Sequence, residues 1–352
     1  MVSIKQKTKN EKLKQSKTSQ ISALRFGLLA GITALTALFF AVGCQQAEPE
    51  RIEPAPIQGT KLDVAEIEPL KTEPIKPEKL KIEPQKPESS PITPIYDTYA
   101  QILKKYVNDD GMVDYRTLKL KRVELTHLMD KFAEFDQNEY NAWPKEDKIA
   151  FWLNAYNIQM LKIIIENYPI ESSRPYRILW PPTSIRHIPP VTEIGTPKWN
   201  GYKFVVIDEV FTLEEIEQRF FLKKFDEPRV FFAISMASIS GSPLRNKPYY
   251  GENLYKQLDD QVKKFLSSPR AFRIDREKQI VYLSSIFEPS WHGQDFLKRY
   301  GTNKKFKDNP PAVRAVLNFI THYLSKDDAS FLEVGNYTVK YINYDWRLNE
   351  QK

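Results

Sequence analysis

Between Lys145 and Asn167, Ile149, Trp152, Leu153, Tyr156, Met160, Ile163 and Ile164 recur every three or four positions. That spacing predicts a helix with one apolar stripe. Shorter patterns of the same period predict helices over 97–106, over 117–135 and through Leu254, Leu258, Val262 and Phe265. Asn309, Pro310 and Pro311 open another helix, which runs to about Leu324. Thr212 and Glu215 have capping-box spacing, so a helix is expected from there to about Lys224. Extended segments are expected at Val205–Ile207, Val230–Ile234, Phe272–Ile274, Ile280–Leu283 and Tyr337–Ile342. Trp199-Asn200-Gly201-Tyr202 reads as a hairpin, because Asn-Gly suits a type I′ turn. Runs of helix separated by short hairpins predict an α+β fold. The expectation is one helix-rich domain over 96–352 with a small, mainly antiparallel sheet.

Two stretches break the pattern. Residues 169–199 hold Pro169, Pro175, Pro181, Pro182, Pro189, Pro190 and Pro197 with Trp180 and Trp199, and read as a long irregular loop of the kind that is often functional. Residues 45–95 repeat Ile-Glu-Pro at 52–54, 67–69 and 82–84, with no aromatic between Cys44 and Tyr96. Such a composition buries too little apolar surface to fold. As an extended polyproline tether it would reach roughly 150 Å at about 3.1 Å per residue. A spacer, a plain disordered tail and a proline-rich ligand for another protein are the readings open for it.

The N-terminus has its own pattern. Lys5, Lys7, Lys9, Lys12, Lys14, Lys17 and Arg25 face one acid, Glu11, and no charge lies between Phe26 and Gly43. A basic stretch, an apolar stretch and small residues before a cut describe a secretory signal over 1–43. Cys44, the only cysteine, follows at once and resembles the lipobox cysteine of bacterial lipoproteins, with Ala41 where leucine is usual. The resemblance implies lipidation at Cys44 and a membrane anchor facing the periplasm or cell exterior. An uncleaved signal anchor is the alternative, since the apolar run is near the lower limit for a membrane span.

The leader also explains the charge. The whole chain carries +7, of which the first 43 residues supply +6. The remaining +1 leaves no electrostatic footprint for nucleic acid. With Cys44 modified, no intramolecular disulfide can form, and the exported domain must rest on its hydrophobic core.

Few residues stand out chemically. Asn154 and Asn157 interrupt the 145–167 helix one turn apart. Asparagine is a poor interior helix residue, so the pair is expected to hydrogen-bond a loop crossing that face, with ligand contact as the alternative. His127, His187, His292 and His322 share no metal-binding spacing, so neither metal nor cofactor is expected. Asn108, Asp109, Asp110 and Gly111 read as a turn, because a calcium loop needs a glutamate at its end and Lys119 stands there. His292 lies in a Trp291-His292-Gly293-Gln294-Asp295 turn. Ser235, at the end of an expected strand between Ala233 and Ala237, forms a loosened nucleophile elbow. After it, Ser238, Ser240, Gly241, Ser242, Pro243 and Arg245 make a loop able to offer donors to an anion.

Phe151-Trp152-Leu153-Asn154-Ala155-Tyr156-Asn157 resembles a signature of domain-of-unknown-function family 547. Leu213–Glu217, Phe232–Ile234, Ser242–Arg245, Tyr282–Phe287 and Tyr344–Asn349 resemble that family's further blocks, in the family's order, over about 110–349. The resemblance implies cysteines at the positions of Met236 and Gly241 and a histidine at that of Gln218. This chain has none of them, so a thiol mechanism is absent here or has moved to a serine.

Three functions follow as expectations. The first is a lipid-anchored envelope domain that binds an envelope protein or small anionic ligand through Asn154, Asn157, Gln218, Ser235, Ser240, Ser242 and Arg245. In it Arg245 pairs the anion. The second is a serine hydrolase or transferase with His292 as base and Asp295 or Asp345 orienting it. The third is a non-catalytic scaffold, which a shallow apolar surface around Gly241 would favour.

Overall fold

The computed structural model describes residues 92–172, 176–189 and 201–352. The expected signal segment, Cys44, most of the tether and the dipeptide Trp199-Asn200 lie outside the described residues. Among the described residues no helix is long and apolar enough to cross a membrane.

The organising element is α5. In chain order α1 spans Thr93–Tyr106, α2 Tyr115–Leu118, α3 Arg122–Ala133, α4 Gln137–Ala142 and α5 Lys145–Glu166. From Ile149 to Leu161 every residue of α5 is buried, including Asn154, Asn157 and Gln159. A helix apolar on all sides is one that its neighbours cover completely. Pro144 precedes it, and Glu146 and Asp147 place negative charge at its N-terminus. Trp152 stacks on Phe220 at 3.8 Å and donates its indole N–H to Tyr140 Oη at 2.8 Å. A buried indole thus keeps its one polar group satisfied.

The expected helix over 117–135 is split. Asp114 caps α2 by accepting from Thr117 N, and a 3-10 turn at Lys119–Lys121 separates α2 from α3. A two-strand hairpin packs on α3, with β1 (Phe204–Val206) antiparallel to β2 (Glu209–Phe211). Its turn is Ile207-Asp208, at φ 50° and 56°. Tertiary hydrogen bonds make that turn: Ile207 N donates to Phe132 O and Asp208 N to Ala133 O, each at 3.0 Å. They satisfy carbonyls that the end of α3 would otherwise leave open.

The capping box of Thr212 and Glu215 forms, and the helix runs as far as expected, first as α6 (Leu213–Ile216) and then as a π-helix, Glu217–Phe225. The segment Val230–Ile234 is no strand. It belongs to a 3-10 helix, Pro228–Phe232, started by Pro228 and by the Glu227 carboxylate accepting from Arg229 N. A short apolar run buried all round looks the same in either conformation.

The second half matches the pattern more closely. It contains α7 (Leu254–Leu266), β3 (Phe272–Asp275), β4 (Ile280–Ser284), α8 (Gly293–Tyr300), α9 (Pro311–Ile320), α10 (Lys326–Val334) and β5 (Thr338–Ile342). The sheet order is β3-β4-β5. Phe272 faces Leu283 in the antiparallel pair, and Val281 faces Val339 in the parallel one. The fold is α+β. Its C-terminal residues form a strap: Val113 N donates to Asn349 O, Leu348 N to Thr183 O and Ile239 N to Arg347 O.

Candidate functional site

The segment from Ala233 to Tyr249 has no regular structure, and α5 holds it in place. Asn157 Nδ2 donates to Ala233 O at 3.0 Å, and its Oδ1 accepts from Ser235 N at 2.8 Å. One turn earlier, Asn154 Nδ2 donates to Tyr249 O and its Oδ1 accepts from Tyr249 N, both at 2.9 Å. Each amide therefore mimics a strand edge for an irregular backbone. Buried main chain without such partners would be costly. From the other side the strap fixes the loop: Ser240 N donates to Asp345 O, and Ser240 Oγ accepts from Asp345 N at 3.0 Å.

Between this loop, the corner from α7 to β3 and the strap lies a groove of about 710 Å³. Ser238, Ser240 and Gly241 form one wall, Lys264, Ser268 and Arg270 another, and Arg347–Lys352 a third. The volume is in the range of small-molecule sites. Burial lowers the Lys264 ammonium from its usual value, and Arg245 adds to this, against the opposing pull of Asp110 and Asp109. Lys264 Nζ contacts the Asp109 carbonyl. The hydrogen bonds from Arg347 hold the Asp345 carboxyl below its ordinary value.

A second polar cluster sits at the start of the π-helix. Tyr156 Oη donates to Glu217 Oε1 at 2.7 Å. Burial pushes the Glu217 carboxyl up, and the nearby His292 and Tyr156 oppose the shift. His292 stacks on Phe231 at 3.8 Å, with its Nδ1 3.7 Å from Asp295 Oδ2. Burial raises the Asp295 carboxyl, but the hydrogen bond and charge of His292, helped by Lys298, leave it net below the ordinary value. The imidazole thus stands near two carboxyls whose surroundings drive them apart, an arrangement suited to acid–base work. π-Helical turns are frequent at such places.

The expected site residues divide between these clusters. Asn157 and Ser235 are in direct contact, Asn154 holds Tyr249, and the Arg245 guanidinium lies over the Tyr249 ring at 5.4 Å. Arg245 Nε is buried without a hydrogen-bond partner among the described residues. Ser240 lines the groove, while Ser242 Oγ turns inward and donates to Phe231 O. Ser235 Oγ accepts from Ala237 N at 3.2 Å, with Ala237 at φ 49°. Without a preceding strand, Ser235 sits in a local turn and not on an elbow. Gln218 is exposed on the π-helix. Among the described residues no hydrogen bond joins His292, Asp295 or Gln218 to a serine of the loop. The two clusters meet through Phe231, which carries His292 on its ring and Ser242 on its carbonyl, and through Trp291, whose ring lies 6.0 Å from that of His292 and 5.1 Å from that of Tyr344.

Glu217, Tyr156, Lys264 and Arg270 were not singled out by sequence. Glu217 and Tyr156 stand inside the blocks quoted above. Nothing local marks Lys264, in the last turn of α7, or Arg270, in the turn that follows it. His187 is buried, with Nε2 3.0 Å from Pro181 O, and His127 is exposed on α3. Among the described residues no group of three or more histidine, cysteine, aspartate or glutamate side chains could hold a metal ion.

Residues 140–266 match a family model described as a protein of unknown function, DUF547. Over those residues the chain is similar to DUF547. The matched span takes in α5, the π-helix, the loop and α7, whereas the sequence blocks at 282–287 and 344–349 lie beyond it. No curated protein and no solved structure matches the chain. Within the DUF547 span, the positions of Met236 and Gly241 face one another. A Cβ at Gly241 would lie 3.2 Å from Met236 Cβ, 3.1 Å from Tyr344 Oη and 2.9 Å from Ser238 Oγ. Cysteines there would come close to the 3.5–4.5 Å Cβ separation of a disulfide. In this chain the pair is instead a thioether and a glycine, beside a hydroxyl pair in which Ser238 Oγ and Tyr344 Oη are 2.8 Å apart.

Proposed function

We propose that the chain is an exported, lipid-anchored envelope protein whose DUF547 domain binds a small ligand in the groove beside Gly241. The carrying observation is the rigid loop. Two buried asparagines and the C-terminal strap hold its backbone, so the groove is formed before any ligand arrives. Preorganisation of that kind lowers the ordering cost of binding. The polar walls of the groove do not favour a scaffold built around a shallow apolar surface. The basic leader and Cys44 support the anchor, and the Ile-Glu-Pro stretch supports a spacer between membrane and domain.

A second reading is catalysis at His292. It is favoured by Glu217 and Asp295, with Asp295 orienting the ring as the sequence suggests. The absence of any hydrogen bond from His292 to a described loop serine turns this reading away from serine nucleophiles and toward acid–base chemistry.

Native mass spectrometry of the full-length protein, extracted from envelopes in mild detergent, tests the first reading. A small-molecule adduct is expected on the wild type and not on Ser267→Trp, which fills the groove from an exposed wall position. Failure to find an adduct, or an adduct indifferent to Ser267→Trp, overturns the reading.

A further inference from the structure

The groove holds more cations than carboxylates. Its cations are Lys264, Arg270, Arg347 and Lys352, and its carboxylates are Asp110 and Glu350. Arg347 is already committed to Asp345, Nη2 to Oδ2 at 2.5 Å. Arg270 makes no side-chain hydrogen bond or ion pair among the described residues, and it is exposed toward solvent. Lys264 contacts one carbonyl and has two further donor positions on its ammonium.

The hydroxyls point the same way. Ser240 Oγ accepts from Asp345 N, and Ser268 Oγ accepts from Arg270 N at 3.3 Å. Neither hydroxyl donates to a described residue, so each has a hydrogen to offer. Ser238 Oγ and Tyr344 Oη share one hydrogen bond, which leaves a second O–H between them. The acceptors on the opposing side are engaged in part: Glu350 Oε1 receives the Tyr168 hydroxyl, and Asn349 Oδ1 receives that of Tyr115 at 2.7 Å. A ligand entering this space meets donors in excess and must supply the acceptors.

We infer that the groove takes an anionic small molecule, a phosphate or carboxylate held between Lys264 and Arg270 with the Ser240 and Ser268 hydroxyls as further donors. This rests on the reading of the groove as a ligand site. Gly241 lets the loop backbone pack closely on Ser238 and Tyr344, since a Cβ there would lie 2.9 Å and 3.1 Å from their hydroxyl oxygens. A charge-assisted pair with each cation dominates the affinity. The lowered Lys264 is consistent with an ammonium that gains stability when a counter-anion arrives.

Titration of the full chain in neutral detergent with inorganic phosphate, followed by amide shifts or calorimetry, tests the inference. Saturable binding is expected, weakened about tenfold by Arg270→Ala and more by Arg270→Glu, with partial recovery in Arg270→Lys. Lys264→Met is expected to act in the same direction. The exposed position of Arg270 keeps its variants folded, so the result does not depend on Lys264→Met folding. Phosphatidylglycerol vesicles form a second arm. Competition by them identifies a lipid headgroup as the phosphate source, and its absence identifies a soluble anion, either of which accords with the inference once phosphate binds at this site. Phosphate that does not bind, or binds equally to Arg270→Glu, overturns it. If a neutral or cationic adduct is still lost in Ser267→Trp, the groove remains a ligand site and only the assignment of an anion falls.

Discussion

Asn154 and Asn157 each commit both ends of a side-chain amide to a backbone that has no secondary structure of its own. Removing the Asn157 amide strands the buried Ser235 N–H, at a cost of about 1–3 kcal/mol, and takes one of two donors from Ala233 O, which keeps the Tyr249 hydroxyl. Asn157→Ala is therefore expected to destabilise the domain by about 1–3 kcal/mol with an unchanged denaturant slope in urea. A loss near zero would mean that the loop does not depend on α5. Glu217 makes a prediction in pH. Its ordinary value is 4.5 and the fold raises it, so just above 4.5 the folded state holds a proton that the unfolded chain has released. Its contribution is complete below 4.5 and falls as pH rises through the raised value. Glu217→Gln keeps an acceptor for Tyr156 and should remove that part of the fall. Urea unfolding of both proteins across pH 4–8 checks it, and parallel profiles would refute the shift. Sequence exposed the two asparagines because they break a helical stripe. It gave no hint of Lys264 and Arg270, which meet the loop only through tertiary packing.

The elements show where local signals prevail and where the rest of the molecule overrides them. The α5 stripe, the capping box, the hairpin of β3 and β4 and the proline start of α9 all carry their instruction within a few residues. Val230–Ile234 does not, because a fully buried apolar run is silent about its own conformation and Pro228 with Glu227 settles it as 3-10. The turn at Ile207-Asp208 is likewise illegible, since a β-branched residue at positive φ contradicts local preference. The end of α3 holds it there. Asp208 is exposed at φ 56°, a conformation that glycine adopts without steric cost. Asp208→Gly should thus raise stability by about 0.5 kcal/mol, measured by denaturant unfolding. A loss of similar size would show that the aspartate side chain supports the turn.

At the scale of the molecule, the proposed leader, the proline-rich stretch and the domain that resembles DUF547 give one account of place and task. The anchor predicts that Cys44→Ser loses incorporation of a palmitate analogue and moves from the membrane fraction to the soluble one. Equal labelling of variant and wild type would end the lipoprotein reading. The domain's proposed part is the groove, whose three walls come from segments distant in sequence and joined by the C-terminal strap. Hydrogen–deuterium exchange of the envelope-purified protein, before and after bound small molecules are stripped, tests this part most directly. The account predicts that protection falls on stripping in 238–243, 264–271 and 347–352 and holds elsewhere; unchanged exchange in those segments, or a loss centred on another surface, would contradict it.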